Sequence, residues 1–335
     1  WLLVMLYFLI QYKIKSNFNF IIGFAISLSL AILSKQTSYI FSLPFCFYLL
    51  FLVLKKNKKD FFKLAIIPLI LIIINFSHFK RNYDTFNNPI GVNKSSKSVI
   101  NEKIDLKNLS SNLVRNISLN LTLPSSEFNQ AIRNIVYSYH DFFDINTTSK
   151  ETTFKNDYFI HFSLYETRAS NTLHFILIIF CIYLGLFNSR RFNFPLVGYL
   201  LSLIFGFVLF SLILKWQPWG NRLLLPFFVM FSPIIGIYLH QLKKPKLNLI
   251  IVVFLSIYSI PYLLMNDIRP LFLKVTNDNH KISFDKPYFL SNKKEKLYFT
   301  YNNFLFYENY KITKNIFEKI KCKNIGIISK ENTWE

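Results

Sequence analysis

Four short polar stretches interrupt a sequence dominated by apolar residues, and their residue types fit the handling of an anionic group at a membrane surface. Ser34-Lys35-Gln36-Thr37 joins two apolar runs so tightly that the Lys35 ammonium is held where those runs end. A Lys at such a place also serves simply to close a turn and snorkel. Lys215-Trp216-Gln217-Pro218-Trp219-Gly220-Asn221-Arg222 sets two Trp beside Pro and Gly in a rigid, non-helical corner. Arg222 then opens the next run with a planar fork suited to phosphate oxygens. An Arg at a helix start opposes the helix dipole, and a bound anion would resolve that conflict. Arg81, within His78-Phe79-Lys80-Arg81-Asn82-Tyr83, is a third cation of this kind. Glu166 and His174 flank the return of a long polar segment into an apolar run, where they would reach a substrate at the surface. Trp216 and Trp219 are substrate-proximal candidates of the same type, although Trp rings are also the ordinary occupants of the interfacial belt. Asp141 and Asp144 read as a carboxylate pair on one helical face, an arrangement more often solvated than catalytic.

The elements that must position these groups follow from composition. Of 335 residues 52% are hydrophobic and 38 are Phe, with 39 Lys plus Arg against 18 Asp plus Glu. That mixture excludes disordered, collagen-like and coiled-coil chains. Eight apolar runs, 1–10, 18–33, 37–54, 61–76, 172–187, 195–214, 223–239 and 247–265, approach the roughly 20 residues a helix needs to cross a bilayer. Lys63 in the fourth would have to snorkel. The fold class expected is an all-α polytopic membrane protein with transmembrane helices in 1–76 and 172–265. Between them 77–171 forms an extracytoplasmic loop, mostly helical because Leu106, Leu109, Leu113, Ile117 and Leu121 recur at helical spacing. The segment 266–335 reads as an extracytoplasmic tail, a partial α/β unit with a helix over 310–321 and a strand over 324–329. Both ends look cut, so the N-terminal part of the first helical region and the end of the tail are expected to be missing.

Charge orients the spans. With the loop after the first run on the cytoplasmic side, the inside loops carry Lys13, Lys15, Lys55, Lys56, Lys58, Lys59, Lys63, Arg190, Arg191, Lys243, Lys244 and Lys246. The short outside turns carry only Lys35, Lys215 and Arg222. This bias is the positive-inside pattern, and it accounts for much of the net charge of +21. The cations sit in separate short loops without one basic face, which argues against a nucleic-acid partner. Cys46, Cys181 and Cys322 have no C-x-x-C spacing, so neither a disulfide framework nor a zinc site is expected. No G-x-S-x-G, Gly-rich phosphate loop or H-E-x-x-H occurs, and no cofactor is called for. The abundance of Lys, Asn, Ile and Phe suits an AT-rich bacterial genome.

A resemblance rests on these same stretches. The Lys35 turn, Arg81-Asn82 followed by Asn88-Pro89-Ile90-Gly91, and Glu166 to Asn171-Thr172-Leu173-His174 resemble bacterial membrane glycosyltransferases of the GT-C class, relatives of lipid-linked aminoarabinose transferases and protein O-mannosyltransferases. Trp216-Gln217-Pro218-Trp219-Gly220-Asn221-Arg222-Leu223-Leu224-Leu225-Pro226 is the most specific part, and Asn266-Asp267-Ile268-Arg269-Pro270-Leu271 resembles the opening of the final extracytoplasmic part of an uncharacterised branch. The resemblance implies a GT-C-like helical bundle in the bacterial cytoplasmic membrane. It implies transfer of a sugar from a polyprenyl-phosphate donor to a glycan, lipid or protein acceptor at the outer face, with Lys35, Arg222 and Arg81 binding the donor phosphate. In that class a carboxylate in the first outer loop, between the first and second spans, usually serves as catalytic base or acceptor-positioning group; the first visible connection here is cytoplasmic, so that carboxylate is expected to lie outside this chain. A lipid-linked oligosaccharide flippase and a non-catalytic scaffold are the competing readings. The repeats and midplane ionisable groups of transporters are not visible.

Overall fold

The computed structural model describes residues 1–91, 99–154, 158–187, 194–266, 275–276, 283–284 and 306–321. The chain forms two compact units, Trp1–Tyr258 and Ser259–Glu335.

Each of the eight apolar runs is helical. They form α1 (Leu2–Lys15), α2 (Phe18–Ser34), α3 (Thr37–Lys56) and, after a 3₁₀ segment Lys58–Ala65, α4 (Ile66–Phe86). Two helices of the polar segment follow, α5 (Leu106–Leu119) and α6 (Ser126–Phe142). The remaining four runs are α7 (Thr172–Phe187), α8 (Phe194–Ile213), α9 (Gly220–Gln241) and α10 (Pro245–Leu264). Among the described residues five stretches are long and apolar enough to cross a membrane: Thr37–Lys56, Lys58–Phe86, Leu196–Ile213, Gly220–Gln241 and Pro245–Leu264. Phe18–Ser34 and Thr172–Leu184 are apolar but shorter. The fold is that of a helical, multi-pass membrane protein.

Two features of the fourth run differ from expectation. Lys63 lies near the start of the stretch Lys58–Phe86 and not within its α-helical part. It falls in the 3₁₀ segment at the helix entrance and pairs with Asp60 at 2.8 Å, so its charge is met locally. The helix also continues ten residues past the apolar run, to Phe86, and ends with Asn87 in the left-handed region at φ 52°. Its packing is inverted relative to a soluble helix. The buried residues of α4 are Asn75 and Asn82, while Leu69, Ile72, Ile73 and Phe76 are exposed. Asn75 donates to the Ser29 carbonyl at 3.2 Å and to the Leu71 carbonyl at 3.1 Å. With hydrocarbon as the surrounding solvent, apolar side chains gain nothing by turning inward, and polar ones gain a partner.

The bundle core is aromatic. Phe24, Phe41, Phe45, Phe228 and Phe231 are among the largest fully buried side chains, and Phe41 stacks on Phe210 while Phe45 meets Tyr199 edge-on. Helix α2 approaches α1 closely at Gly23, where any Cβ would strike the Phe8 ring at 2.6 Å. Alternation along the chain sets two ends. One gathers the 15–17 and 56–58 turns, joined by Lys56, which donates to the carbonyls of Tyr12 and Lys13 at 3.0 and 2.7 Å. The other gathers the 34–37 turn, the end of α4, the start of α9 and the polar segment.

That segment is pinned to the bundle by a short β-like seam. The corner after α8 runs between two strips of it: Lys215 N–H donates to the Val99 carbonyl at 2.9 Å, Trp216 N–H to Thr152 at 2.8 Å, and Phe154 N–H to Trp216 at 2.8 Å. Asn101 caps the end of α8, donating through Nδ2 to the Leu212 carbonyl at 2.8 Å, and Asn112 donates to Ser211 at 3.0 Å. Such side-chain donors satisfy the last carbonyls of a helix, which have no intrahelical partner.

In the second unit the described residues include a two-residue antiparallel pair, Val275–Thr276 with Ser283–Phe284, and α11 (Phe306–Lys319). The expected strand 324–329, Cys322, Arg190, Arg191 and the 267–271 stretch lie outside the described residues.

Candidate anion site at the Lys35 end of the bundle

Residues distant in sequence meet around the turn between α2 and α3. The Lys35 Nζ donates to the Arg222 carbonyl at 2.9 Å, a contact that ties this turn to the first turn of α9. Helix α9 starts there with no side-chain cap. The next residue, Gln36, donates through Nε2 to the Ile90 carbonyl at 3.0 Å and so fastens the same turn to the loop after α4. That loop is held by Asn82, whose Nδ2 lies 3.1 Å from the Pro89 carbonyl and 3.1 Å from His78 Nε2. Arg81 completes the series, with Nη2 at 3.1 Å from His78 Nδ1. Gly91, at φ +77°, closes the loop, and a Cβ there would sit 3.0 Å from Asn82 Nδ2.

Among the described residues neither Lys35, Arg81 nor Arg222 forms an ion pair, whereas Lys63, Lys103, Lys215, Lys311 and Lys314 all do. Burial, followed by the positive charge of Arg222, lowers the Lys35 ammonium below its ordinary pKa. A group whose charged form is disfavoured in this way gains from an added negative charge. The Arg222 side chain is exposed and Lys35 is half-buried, so the cluster is accessible to an anion.

The structure separates the other sequence candidates. Trp216 is fully buried, with the Tyr158 ring edge-on at 5.1 Å and the guanidinium of Arg115 at 6.0 Å from its centroid. Its ring offers no free face to a substrate; it anchors the polar segment. Trp219 is half-buried against Phe154, ring centroids 5.2 Å apart. His174 packs on Phe228 of α9 at 5.4 Å, six residues, or about 9 Å of helix, from Arg222. Glu166 lies exposed in the turn that precedes α7. Asp141 and Asp144 do not form a helical pair. Helix α6 ends at Phe142, and Asp144 follows it in the left-handed region at φ 51°, with both residues exposed.

Two buried groups escaped the sequence reading. Arg115 in α5 is wholly buried with no ion pair among the described residues, and neutral oxygens accept its hydrogen bonds: Thr147 carbonyl at 2.8 Å, Asn112 Oδ1 at 2.6 Å, Thr152 Oγ1 at 3.0 Å, Ser111 carbonyl at 3.4 Å, and the Thr153 hydroxyl. Burial pulls its pKa down to about 9, which leaves it charged at neutral pH. Behind it, His140 and Ser111 form a buried hydrogen bond of 2.8 Å, and His140 Nδ1 donates to the Val136 carbonyl at 2.7 Å. A Ser–His pair with both members sealed from solvent holds α5 to α6; it reaches no substrate. The available signal was the polar side of α5, where Ser111, Asn112, Arg115, Asn116 and Ser118 fall on adjoining positions of one helix.

No family model, no curated protein and no solved structure matches the chain.

Proposed function

We propose that this protein is a GT-C-like membrane glycosyltransferase that takes a sugar from a polyprenyl-phosphate donor and gives it to an acceptor at the face carrying Lys35 and Arg222. The observation that supports the reading is the hydrogen bond from Lys35 Nζ to the Arg222 carbonyl, which brings to one end of the bundle two cations that form no ion pair among the described residues. In such a transfer the acceptor oxygen attacks the anomeric carbon, its proton passes to a base, and the bond from that carbon to the phosphate oxygen breaks. The departing phosphate takes the bonding electrons, so negative charge grows where Lys35 and Arg222 stand, and fixed cations there stabilise the transition state. Arg81, linked to the cluster through His78, Asn82 and the 88–91 loop, is the third phosphate ligand. Glu166, His174 and Trp219 lie toward the acceptor side, and the positive-inside bias makes this face extracytoplasmic in a bacterial cytoplasmic membrane.

The experiment measures polyprenyl phosphate binding to the chain in nanodiscs and release of polyprenyl phosphate from the sugar-linked donor in membranes containing it. A charge-assisted hydrogen bond is worth about 1.5–3 kcal/mol, so Lys35→Ala or Arg222→Ala should weaken binding roughly ten- to hundredfold. Unchanged affinity in both variants overturns the anion site. Release is expected only from protein that also carries the catalytic carboxylate, and weakened binding in the variants with no release from that protein points instead to lipid transport.

A further inference from the structure

At the opposite end of the bundle, an apolar cavity of about 360 Å³ opens between α1, α3 and α8. Its walls are Leu9, Ile10, Ile14, Tyr48 and Tyr199, and the one charged group in its lining is Lys13. The Lys13 Nζ is covered by surrounding atoms yet has no hydrogen-bond acceptor among the described residues. Lys55 and Lys56 stand close enough to act on its charge. Lys56 has spent its own protons on the Tyr12 and Lys13 carbonyls and the Ser16 hydroxyl, and the nearby Asp60 is already taken by Lys63. The site thus combines a largely apolar recess of ligand size with a covered ammonium that has no anion beside it among the described residues. A covered donor without an acceptor is costly.

We propose that this cavity holds one acyl chain of an anionic phospholipid, whose phosphate accepts the hydrogen bond of Lys13. Charge chooses the headgroup. Lys13 lines the recess and Lys55 and Lys56 stand close enough to add to its positive field, so a zwitterionic lipid with an outward ammonium is disfavoured relative to phosphatidylglycerol. The shape of the cavity chooses a chain over a soluble phosphate, because Leu9 and Tyr199 close its buried wall and Ile10 and Ile14 its exposed rim. The lipid would staple α1 to α3 and α8 at the end away from Lys35, independently of any activity there.

The test reads lipid occupancy of the full chain by native mass spectrometry after exchange with phosphatidylglycerol or phosphatidylcholine of identical chains. One phosphatidylglycerol is expected to stay bound under conditions that strip phosphatidylcholine. Lys13→Gln should weaken its retention about tenfold, the worth of one charge-assisted contact. Lys13→Arg should keep it, and Ile10→Trp, at the exposed rim, should expel it by filling the recess. Lys58→Gln, an exposed cation at the same end, should change nothing. Equal retention of the two lipids, or equal losses in Lys13→Gln and Lys58→Gln, overturns the proposal in favour of a non-specific lipid annulus. Should Lys13→Gln fail to fold, the pair Ile10→Trp and Lys58→Gln decides alone: loss in the first only supports the site, and retention in both refutes it.

Discussion

The guanidinium of Arg115 lies 6.0 Å from the centre of the Trp216 ring, and neither side chain has any exposed surface. The pair is where the polar segment meets the bundle: Arg115 gathers the 147–153 strip through neutral oxygens, and Trp216 receives that strip through backbone hydrogen bonds. Retaining the charge alone does not reproduce this. A Lys has three donors and no planar fork, so Arg115→Lys leaves several oxygens without partners. The expected cost is about 3 kcal/mol, as buried groups left unsatisfied cost 1–3 kcal/mol each and partial rearrangement recovers some of it. Limited proteolysis in detergent should then cut the 147–154 strip in the variant under conditions that spare the parent. Equal resistance would show that the strip is held without Arg115.

Stability of the same region should fall in mild acid. Burial favours the neutral ring of His140 in the folded chain, where Nδ1 donates to the Val136 carbonyl and Nε2 shares a 2.8 Å hydrogen bond with the Ser111 hydroxyl. Burial is the main cause of its lowered pKa, the Val136 carbonyl opposes the shift, and the charge on Arg115 adds to it. Above the ordinary His value of about 6.5 both folded and unfolded chains carry a neutral ring. Below it the unfolded chain takes up a proton that the folded chain refuses, so stability declines by at most about 1.4 kcal/mol per pH unit until the folded pKa is reached. Thermal unfolding at pH 7.5 and 5.5 checks this, with a larger drop in the parent than in His140→Gln. Identical drops would place the acid sensitivity elsewhere.

The loop after α4 should transmit a single backbone change to the anion site. Gly91 adopts φ +77°, and an added Cβ meets Asn82 at 3.0 Å. Both effects disfavour Gly91→Ala, by about 1–2 kcal/mol for the backbone conformation alone. The loop can relax only by shifting Asn82 or the Ile90 carbonyl that receives Gln36. Weaker binding of polyprenyl phosphate, with overall thermal stability within a few degrees of the parent, is the expected outcome. An affinity equal to that of the parent would separate this loop from the Lys35 turn.

The helices were legible because their apolar runs are long: all eight runs are helical whatever their burial, although only five stretches among the described residues are long and apolar enough to cross a membrane. Helix α5 was legible for a different reason, the spacing of Leu109, Leu113 and Ile117, yet its other face was not. Ser111, Asn112, Arg115 and Asn116 look solvated in sequence and are buried, because the 147–154 strip and the end of α8 fold over them. Partners 32 to 99 positions away decide that, and no local pattern encodes them. The Asp141 and Asp144 pairing failed on a boundary of two residues, since a helix that ends at Phe142 turns the second carboxylate off its face. Lys35 and Arg222 were each visible as cations at the ends of apolar runs. Their contact, across 187 positions, required the bundle.

The sidedness of the two ends gives the last prediction. The turn at Asn57 and the 15–17 turn belong to one end, and α6 belongs to the polar segment at the other. If the positive-inside bias holds, the end rich in Lys13, Lys15, Lys55, Lys56, Lys58 and Lys59 faces the cytoplasm. In a cysteine-free background, a single Cys at exposed Asn134 of α6 should react with an impermeant maleimide in intact cells, and a single Cys at exposed Asn57 should react only after permeabilisation. The reverse pattern would turn the Lys35 and Arg222 cluster toward the cytoplasm. A lipid-linked donor presented on the extracytoplasmic face would then be out of reach of both cations, and the proposed transfer would have to be given up together with the topology.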